Sequence, residues 1–151
     1  TQLWTSTIST YEKSAGTMYL LDSNACIHVL NGTSREVVAR FSNESPSTVC
    51  LCAVVKAELL YGARKSRSVA KVLRNLERFF APLVSLPFDD DCAHQYGLLR
   101  ADLARSGRPI GANDLMIAAI ARRHDLTVVT HNVGEFSRVV GLRVEDWESP
   151  S

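Results

Sequence analysis

Four polar residues stand out in this sequence because each lies next to an apolar segment that could fix its position. Asp22 directly follows the first apolar run, and Asn132 comes two residues after a later one. Glu58 lies on an otherwise apolar face of a helical segment, and Asp114 opens an apolar helical segment. A carboxylate on an apolar face is costly to bury unless it is paired, protonated or bound to a cation. The four residues are therefore candidates for chemistry.

Their types favour a site for a divalent metal ion. Asp22 and Asn132 come from strand ends, whereas Glu58 and Asp114 come from helices that flank the same predicted sheet. Three carboxylates that converge on one edge of a sheet repel one another unless a cation lies between them. Oxygen ligands of this kind select Mg²⁺ or Mn²⁺ over Zn²⁺. Ions held in this way support phosphodiester hydrolysis, because they polarise a phosphoryl oxygen and activate a water.

Each candidate also has an ordinary structural interpretation. Asp22 could cap the helix that follows it. Asn113 could cap the apolar helix, with Asp114 favourable to the helix dipole in its first turn. Glu58 could be a partly exposed surface acid. For each residue taken singly, the sequence does not distinguish a structural role from a chemical one.

Short β-type runs alternate with helical periods from Met18 onwards. Strands are predicted over residues 18–21, 48–53, 83–88, 126–130 and 142–144. Helices are predicted over residues 23–30, 35–41, 54–65, 69–80, 90–105, 113–124 and 133–139, with Asp89 as the cap of the fifth. Because the strands are apolar throughout, they indicate an α/β fold with a central parallel sheet of four to five strands and helices on both faces. The functional site of such a sheet lies at the carboxyl ends of its strands, near a topological switch point.

Composition and missing motifs exclude several classes of protein. The chain has 151 residues and a mass of 16.6 kDa, which fits one domain. Its formal charge of +1 argues against a strongly basic nucleic-acid coat. No apolar run approaches the roughly 18 to 20 residues of a membrane span. The sequence has no Gly-rich phosphate loop and no Gly-x-Ser-x-Gly motif, which disfavours an ATPase and a serine hydrolase.

Arginine supplies thirteen of the seventeen basic residues. One basic stretch consists of Arg64, Lys65, Arg67, Lys71, Arg74 and Arg78. Such a face is ordinarily just solvated, but arginine forks also suit phosphate groups. A single-stranded RNA loop is a substrate that an open metal site could reach. His131 lies near the site and is interpreted as an incidental surface histidine, with contact to substrate as the alternative.

The cysteines and the termini complete the expected organisation. Four cysteines lie inside apolar segments, which predicts buried free thiols and suits a reducing cytosol: Cys26, Cys50, Cys52 and Cys92. Residues 1–17 have little periodicity and no apolar stretch after a basic region, so we expect an extension outside the core and no secretory signal. The predicted domain spans residues 18–147, and residues 148–151 form a short tail.

Several segments resemble the motifs of the PIN domain nucleases, in order and at family-like distances. The first two motifs lie at residues 20–24 and 54–63, the third at 109–118, and the last at 128–136 with a final segment at 144–147. The set is specifically similar to the VapC toxins of bacterial type II toxin–antitoxin modules. This resemblance implies a single PIN-like domain and an endoribonuclease that depends on Mg²⁺, with Mn²⁺ as the alternative ion.

The resemblance also implies roles for particular residues. Asp22 and Asp114 would bind the metal ion, and Glu58 would be a further acid of the catalytic site. Many PIN domains carry a fourth acid where Asn132 stands here, so this position is the weakest member of the set. An amide can still orient a water or ligate weakly. Glu135 could help to compensate, although a surface helix residue is the plainer interpretation.

The implied partners are a VapB-type antitoxin, a second copy of the chain and an RNA substrate. Close relatives in this subgroup cleave tRNA in the anticodon stem-loop, which makes tRNA, and initiator tRNA in particular, the expected target by analogy. Two alternatives stay open. The chain could be a PIN scaffold that has lost catalysis and binds antitoxin or RNA, for which Asn132 is the sequence support. It could also be a DNA nuclease or phosphatase with the same metal chemistry.

Overall fold

The computed structural model describes residues 16–149 as a parallel sheet with helices on both faces. The strands are β1 Tyr19–Leu21, β2 Val49–Cys52, β3 Val84–Leu86, β4 Thr127–Val129 and β5 Arg143–Glu145. The helices are α1 Ser23–Asn31, α2 Arg35–Ser42, α3 Ala53–Lys65, α4 Val69–Phe80, α5 Asp90–Arg105, α6 Ala112–His124 and α7 Val133–Phe136. The predicted fold class is therefore confirmed.

Most predicted elements agree with the structure to within two residues, and the larger differences have local causes. Strand β3 is shorter than expected because it lies at the edge of the sheet, pairs only with β2, and is followed by Pro87, which has no N–H to donate. Helix α7 ends at Phe136 and gives way to a turn in which the Val139 N–H donates to the Phe136 carbonyl.

The caps of the helices test two further expectations. Asp89 caps α5 as predicted, since its Oδ1 accepts from the Cys92 N–H at 3.0 Å. The expectation that Asn113 caps α6 is wrong. Helix α6 begins one residue earlier, at Ala112, with Gly111 at the cap position and no side-chain capping bond. Asn113 is thereby released from a capping role and lies exposed in the first turn.

The strand order β3-β2-β1-β4-β5 places the switch point of the sheet between β1 and β4. From β1 the chain moves outward to β2 and β3, whereas from β4 it moves the other way to β5. Because parallel crossovers are right-handed, these opposite directions put helices on opposite faces of the sheet. The two central strands are in register, with Leu21 opposite Val129. The residues that follow them, Asp22 and Thr130, consequently meet at the same edge.

The core explains why these segments hold their places. Helix α6 is buried on nearly all sides, as its apolar sequence predicts, and residues 117–121 are at most 1% exposed. Trp147 is also 1% exposed, and its ring packs edge-on against Tyr19 with 5.1 Å between centroids. The Trp147 indole N–H donates to Glu145, which also pairs with Arg40 at 3.0 Å. The chain after β5 is thereby fixed against β1.

Some expectations concern the termini, the cysteines and membranes. All four cysteines are buried. Met18, at the predicted start of the domain, is 1% exposed. Residues 1–15, on which most of the expected N-terminal extension falls, lie outside the described residues, as do residues 150 and 151. Within the described part of the chain, no helix combines the length and the apolar character needed to cross a membrane.

Candidate active site

Asp22 joins the end of β1 to the start of α1. Its backbone N–H donates to the Val129 carbonyl at 3.1 Å, which extends the pairing of β1 with β4 by one residue. Its side-chain Oδ1 accepts from the Ala25 N–H at 2.9 Å and caps α1. The side chain of Thr130 also bonds to this carboxylate. The capping interpretation of Asp22 is therefore confirmed, and it accounts for one of the two carboxylate oxygens.

The electrostatic surroundings of Asp22 show that capping is only part of its role. The residue is 8% exposed, and burial raises the pKa of its carboxyl above the ordinary range. The hydrogen bonds from Thr130 and Ala25 act in the opposite direction, and the negative charge of Glu58 raises the pKa further. The ionised form of Asp22 is therefore disfavoured both by burial and by the charge of a second carboxylate, which is not the case for a simple helix cap.

Glu58 approaches the same place from α3. The Ser23 hydroxyl, at the first position of α1, donates to Glu58 Oε1 at 2.8 Å, so the two helices are linked beside Asp22. The nearest lysines on α3 bind elsewhere. The Lys56 ammonium lies 4.7 Å from the centre of the Phe80 ring, and the Lys65 ammonium lies 4.6 Å from the centre of the Tyr61 ring. Glu58 is half-buried and forms no ion pair within the part of the chain that the structure describes.

Asp114 brings the third carboxylate from the first turn of α6. The pKa of its carboxyl is raised to about 6, first by burial and then by the negative charges of Glu135, Asp22 and Glu58. A hydrogen bond from Asn132 partly offsets this. That Asp114 is affected by all three acids shows that they converge on it, although 21 residues separate it from the nearest, Glu135, and 92 from the farthest, Asp22.

Along the chain, Asp22 and Glu58 are 36 residues apart, and Glu58 and Asp114 are 56 residues apart. Side chains this far apart in sequence meet only because the strand order brings the carboxyl ends of β1 and β4 and the first turns of α3 and α6 together. Three of the four predicted site residues, Asp22, Glu58 and Asp114, are thus placed at one site.

Asn132, the fourth predicted residue, reaches the site together with Glu135. The Asn132 Nδ2 donates to Glu135 Oε2 at 2.6 Å, and the Gly111 N–H donates to Glu135 Oε1 at 2.7 Å. Both bonds lower the pKa of the Glu135 carboxyl, and the bond from Gly111 has the larger effect. Glu135 is therefore ionised at neutral pH and held beside the start of α6, where its charge acts on Asp114.

Glu135 is more closely tied to the site than a surface helix residue, which is its plainer interpretation from sequence. Both of its carboxylate oxygens are bound by neighbours of the site. The available signal was its spacing of three residues from Asn132, which puts the two side chains on one face of a helical turn. We call Asp22, Glu58, Asp114 and Glu135 the carboxylate cluster.

The carboxylate cluster has the donor set of a divalent metal site. Among the described residues, none of its four members has a lysine, arginine or histidine nitrogen within 4.0 Å. The negative charges are therefore balanced neither by ion pairs nor by full exposure to water. Carboxylate oxygens in this number suit Mg²⁺ or Mn²⁺, and the raised pKa of Asp114 is what such a site shows without its cation. The residues present fit the predicted ion.

His131 belongs to a separate group of titratable residues next to Asn132. Its side chain is 65% exposed, and its Nδ1 lies 3.0 Å from Asp146 Oδ2 and 3.6 Å from Glu148 Oε2. His28 lies 3.5 Å from the same Glu148 carboxylate. The interpretation of His131 as a surface histidine agrees with its exposure. The charge of Glu148 contributes in a minor way to the raised pKa of Asp22.

The cysteines near the site are unsuited to nucleophilic catalysis. Burial raises the pKa of the Cys52 thiol to about 11, and burial followed by the charge of Asp22 raises that of Cys26 well above its ordinary value. Since the thiolate is the reactive form, neither side chain is activated at neutral pH. The chemistry of this site therefore rests on its oxygen ligands.

Comparisons with known proteins agree with the geometry. The family model described as "PIN domain" matches residues 19–142. The chain is 42% identical over 129 residues to the "tRNA(fMet)-specific endonuclease VapC" of Shigella flexneri, with 85% of this chain and 97% of the relative covered. It is 37% identical over 129 residues to "Ribonuclease VapC2" of Haemophilus influenzae strain KW20, with the same shares covered.

Solved structures give the same result. The DNA-bound VapBC of Salmonella typhimurium contains a chain that matches with a TM-score of 0.81 and 38% identity, covering 87% of this chain and 98% of that one. VapBC2 of Rickettsia felis, bound to a DNA fragment from its promoter, matches with a TM-score of 0.78 and 32% identity, covering 87% and 99%. Both similarities extend over nearly the whole of the compared chains.

Proposed function

Because the chain belongs to the PIN domain family and, within it, to the VapC ribonucleases of toxin–antitoxin modules, we propose that it is a Mg²⁺-dependent endoribonuclease that cleaves tRNA. The proposed target is the anticodon loop of initiator tRNA, since a relative at 42% identity is named a tRNA(fMet)-specific endonuclease. We propose the bacterial cytoplasm as its place of action and Mn²⁺ as the alternative ion.

The observation that carries this proposal is the convergence of three carboxylates on a fourth, Asp114. A single acid at a helix start is an ordinary feature of proteins, whereas four acids that share one site, with no ion pair to any of them among the described residues, are costly unless a cation neutralises them. The same observation favours an active enzyme over a binding scaffold. Glu135 supplies a fourth carboxylate, so the amide of Asn132 does not leave the site one acid short.

In the proposed mechanism, Asp22 and Asp114 would hold the divalent ion and Glu58 would complete its acidic surroundings. When bound, such an ion supplies positive charge to a phosphoryl oxygen and makes a water more acidic. Glu58, fixed by the Ser23 hydroxyl, positions the attacking water. Glu135 orients Asn132 and the start of α6, through its bonds to Asn132 and to the Gly111 N–H. Exposed arginines of the basic stretch hold flanking phosphates.

The proposed regulator is a VapB-type antitoxin. The solved relatives are VapBC complexes, and the structure offers a place for such a partner. A groove of about 440 Å³ between α1, α3 and α4 contains Ile27 and Leu30 and opens at Glu58. An apolar segment in this groove would lie against the carboxylate cluster. We also propose a homodimer, for which the exposed Leu98 on α5 is a candidate contact.

The direct test is a cleavage assay on purified protein freed of antitoxin. Total tRNA is incubated with the protein and Mg²⁺, in parallel with EDTA and with the Asp22→Ala variant. Discrete fragments that disappear in both controls would support the proposal, and mapping of their ends would identify the target. A protein that binds metal but cleaves no RNA would contradict the proposed ribonuclease activity toward tRNA. Cleavage of DNA instead would favour the DNA nuclease.

A substitution of Glu135 tests its place in the carboxylate cluster. We expect Glu135→Gln to lower kcat/KM by about ten- to a hundredfold, because it removes the charge next to Asp114 while an amide oxygen can still accept from Gly111. Single-turnover cleavage of tRNA measures the effect. Glu36→Gln, on an exposed position of α2, is the matched control and should retain full activity. Equal activities of the two variants would remove Glu135 from the site.

A further inference from the structure

An apolar cleft lies beside the carboxylate cluster, between α3 and α6, and the mechanism proposed above does not use it. Its volume is about 420 Å³. Glu58 belongs both to its lining and to the cluster, and Asn113 in its lining directly precedes Asp114. We call it the α3–α6 cleft. A ligand whose phosphate lies at the carboxylate cluster would therefore place an adjoining group in this cleft.

The lining of the cleft favours a flat apolar group. Ala57 and Val54 of α3 face Met116 of α6 across the cleft, and none of them offers a polar side chain. The amide of Asn113 is exposed at the same cleft and can both donate and accept hydrogen bonds. Apolar walls with one amide fit the face and the edge of a nucleobase better than they fit a charged or hydrated group.

Tyr61 provides an aromatic ring at the rim of the cleft. It follows Glu58 by one helical turn and is 64% exposed, which is unusual for an aromatic side chain with no aromatic partner among the described residues. Tyr61 lines both the α3–α6 cleft and the groove between α1, α3 and α4, whereas Lys65 lines only the groove. The Lys65 ammonium lies 4.6 Å from the centre of the Tyr61 ring, so the positive charge beside the ring belongs to a residue of the groove and not of the cleft.

We propose that the α3–α6 cleft binds an unpaired nucleobase next to the scissile phosphate of the RNA, stacked on Tyr61 with its edge at Asn113. The inference rests on the proposed ribonuclease function. Unpaired bases are recognised by stacking on aromatic side chains and by hydrogen bonds to their edges, which are the two features that this cleft combines. Lys65 adds a positive charge 4.6 Å from the centre of the ring, which favours the phosphates of the same strand.

The test measures binding without cleavage. The probe is the anticodon stem-loop of an initiator tRNA, made with each loop base in turn replaced by an abasic sugar, and the protein carries Asp22→Asn in the presence of EDTA. One abasic position should weaken binding by about tenfold, and Tyr61→Ala should weaken binding of the intact loop by a similar factor. Combining the two changes should cause no further loss, because both remove the same stack.

Further variants separate stacking from other roles of Tyr61. Tyr61→Phe should restore binding, since a phenyl ring still stacks, and Val140→Ala, which shortens an exposed apolar side chain far from the described lining, should bind as the parent does. With Mg²⁺ and an intact Asp22, Tyr61→Ala should raise KM by about tenfold with a smaller effect on kcat.

The outcomes distinguish this inference from the proposed function. The nucleobase site would be overturned if Tyr61→Ala bound RNA as tightly as the parent. It would also be overturned if the losses of affinity from Tyr61→Ala and from the abasic position multiplied when the two changes were combined. A variant that loses only affinity for an antitoxin would assign the ring to the antitoxin surface and would also overturn it. Binding that depends on Tyr61 in a protein that cleaves no RNA would uphold the nucleobase site and contradict the ribonuclease.

Discussion

Asp22→Asn should lower the rate of RNA cleavage by roughly a thousandfold and leave the stability of the fold nearly unchanged. The loss corresponds to about 4 kcal/mol of transition-state stabilisation, which is the scale on which a bound metal ion acts. The amide oxygen of asparagine can still accept from the Ala25 N–H, so the cap of α1 survives while the charge is lost. Single-turnover cleavage and urea unfolding of the same preparation measure the two effects.

Two further variants separate the charge of Asp22 from its capping bond. Asp22→Ala should be as inactive as Asp22→Asn and also less stable by about 1 kcal/mol, because it leaves the Ala25 N–H without its acceptor. Asp89→Ala removes an equivalent cap from α5, away from the site, and should lose a similar amount of stability while remaining active. An active Asp22→Asn protein would show that Asp22 acts only as a cap.

Asp114→Asn should stabilise the metal-free protein at neutral pH. The carboxyl of Asp114 has a pKa of about 6 in the folded protein, above its ordinary value of 3.8. Between these values the folded state retains a proton that the unfolded state releases, so stability falls as the pH rises from about 4 to about 6. The variant lacks this loss and should be more stable at pH 7 by on the order of 1–2 kcal/mol, after allowance for solvent screening.

Thermal unfolding in EDTA across pH 4 to 8 measures this effect, and Mg²⁺ should reverse it. Addition of Mg²⁺ should raise the Tm of the wild-type protein but not that of Asp114→Asn, because only the wild type retains the full set of carboxylates. Asp90→Asn, at an exposed position in the first turn of α5, is the control and should follow the wild type. A wild-type Tm that is insensitive to Mg²⁺ would favour the binding scaffold over the enzyme.

These two predictions depend on the same physical feature, the mutual repulsion of buried carboxylates. Both acids, Asp22 and Asp114, are needed for the proposed activity, but asparagine should leave the stability of the metal-free fold nearly unchanged at position 22 and raise it at position 114. Substitution of a purely structural acid should lower stability and leave activity intact. Asp89 provides that comparison within the same chain, since the pKa of its exposed carboxyl is lowered by the Cys92 N–H.

The local sequence determined the elements of the fold. The helical period of α4 and the apolar runs of β2 and β4 predict their elements closely, because a 3.6-residue repeat marks a helix with one face on the core and a short continuous apolar run marks a strand buried on both faces. Asp22, Glu58 and Asp114 could be selected for a similar reason. Each breaks a local apolar pattern or ends a strand, and that signal lies within a few residues of the acid itself.

Only the tertiary structure decided how these residues act together. The order β3-β2-β1-β4-β5 brings β1 beside β4, and no local pattern specifies that neighbour. The tertiary structure also gives Asp22 two roles, as the cap of α1 and as a neighbour of other acids. It brings Glu135 into the cluster through Gly111, and it places Tyr61 at a cleft shared with α6. Periodicity is a property of one segment, whereas a site made by several segments depends on contacts between residues that are distant in sequence.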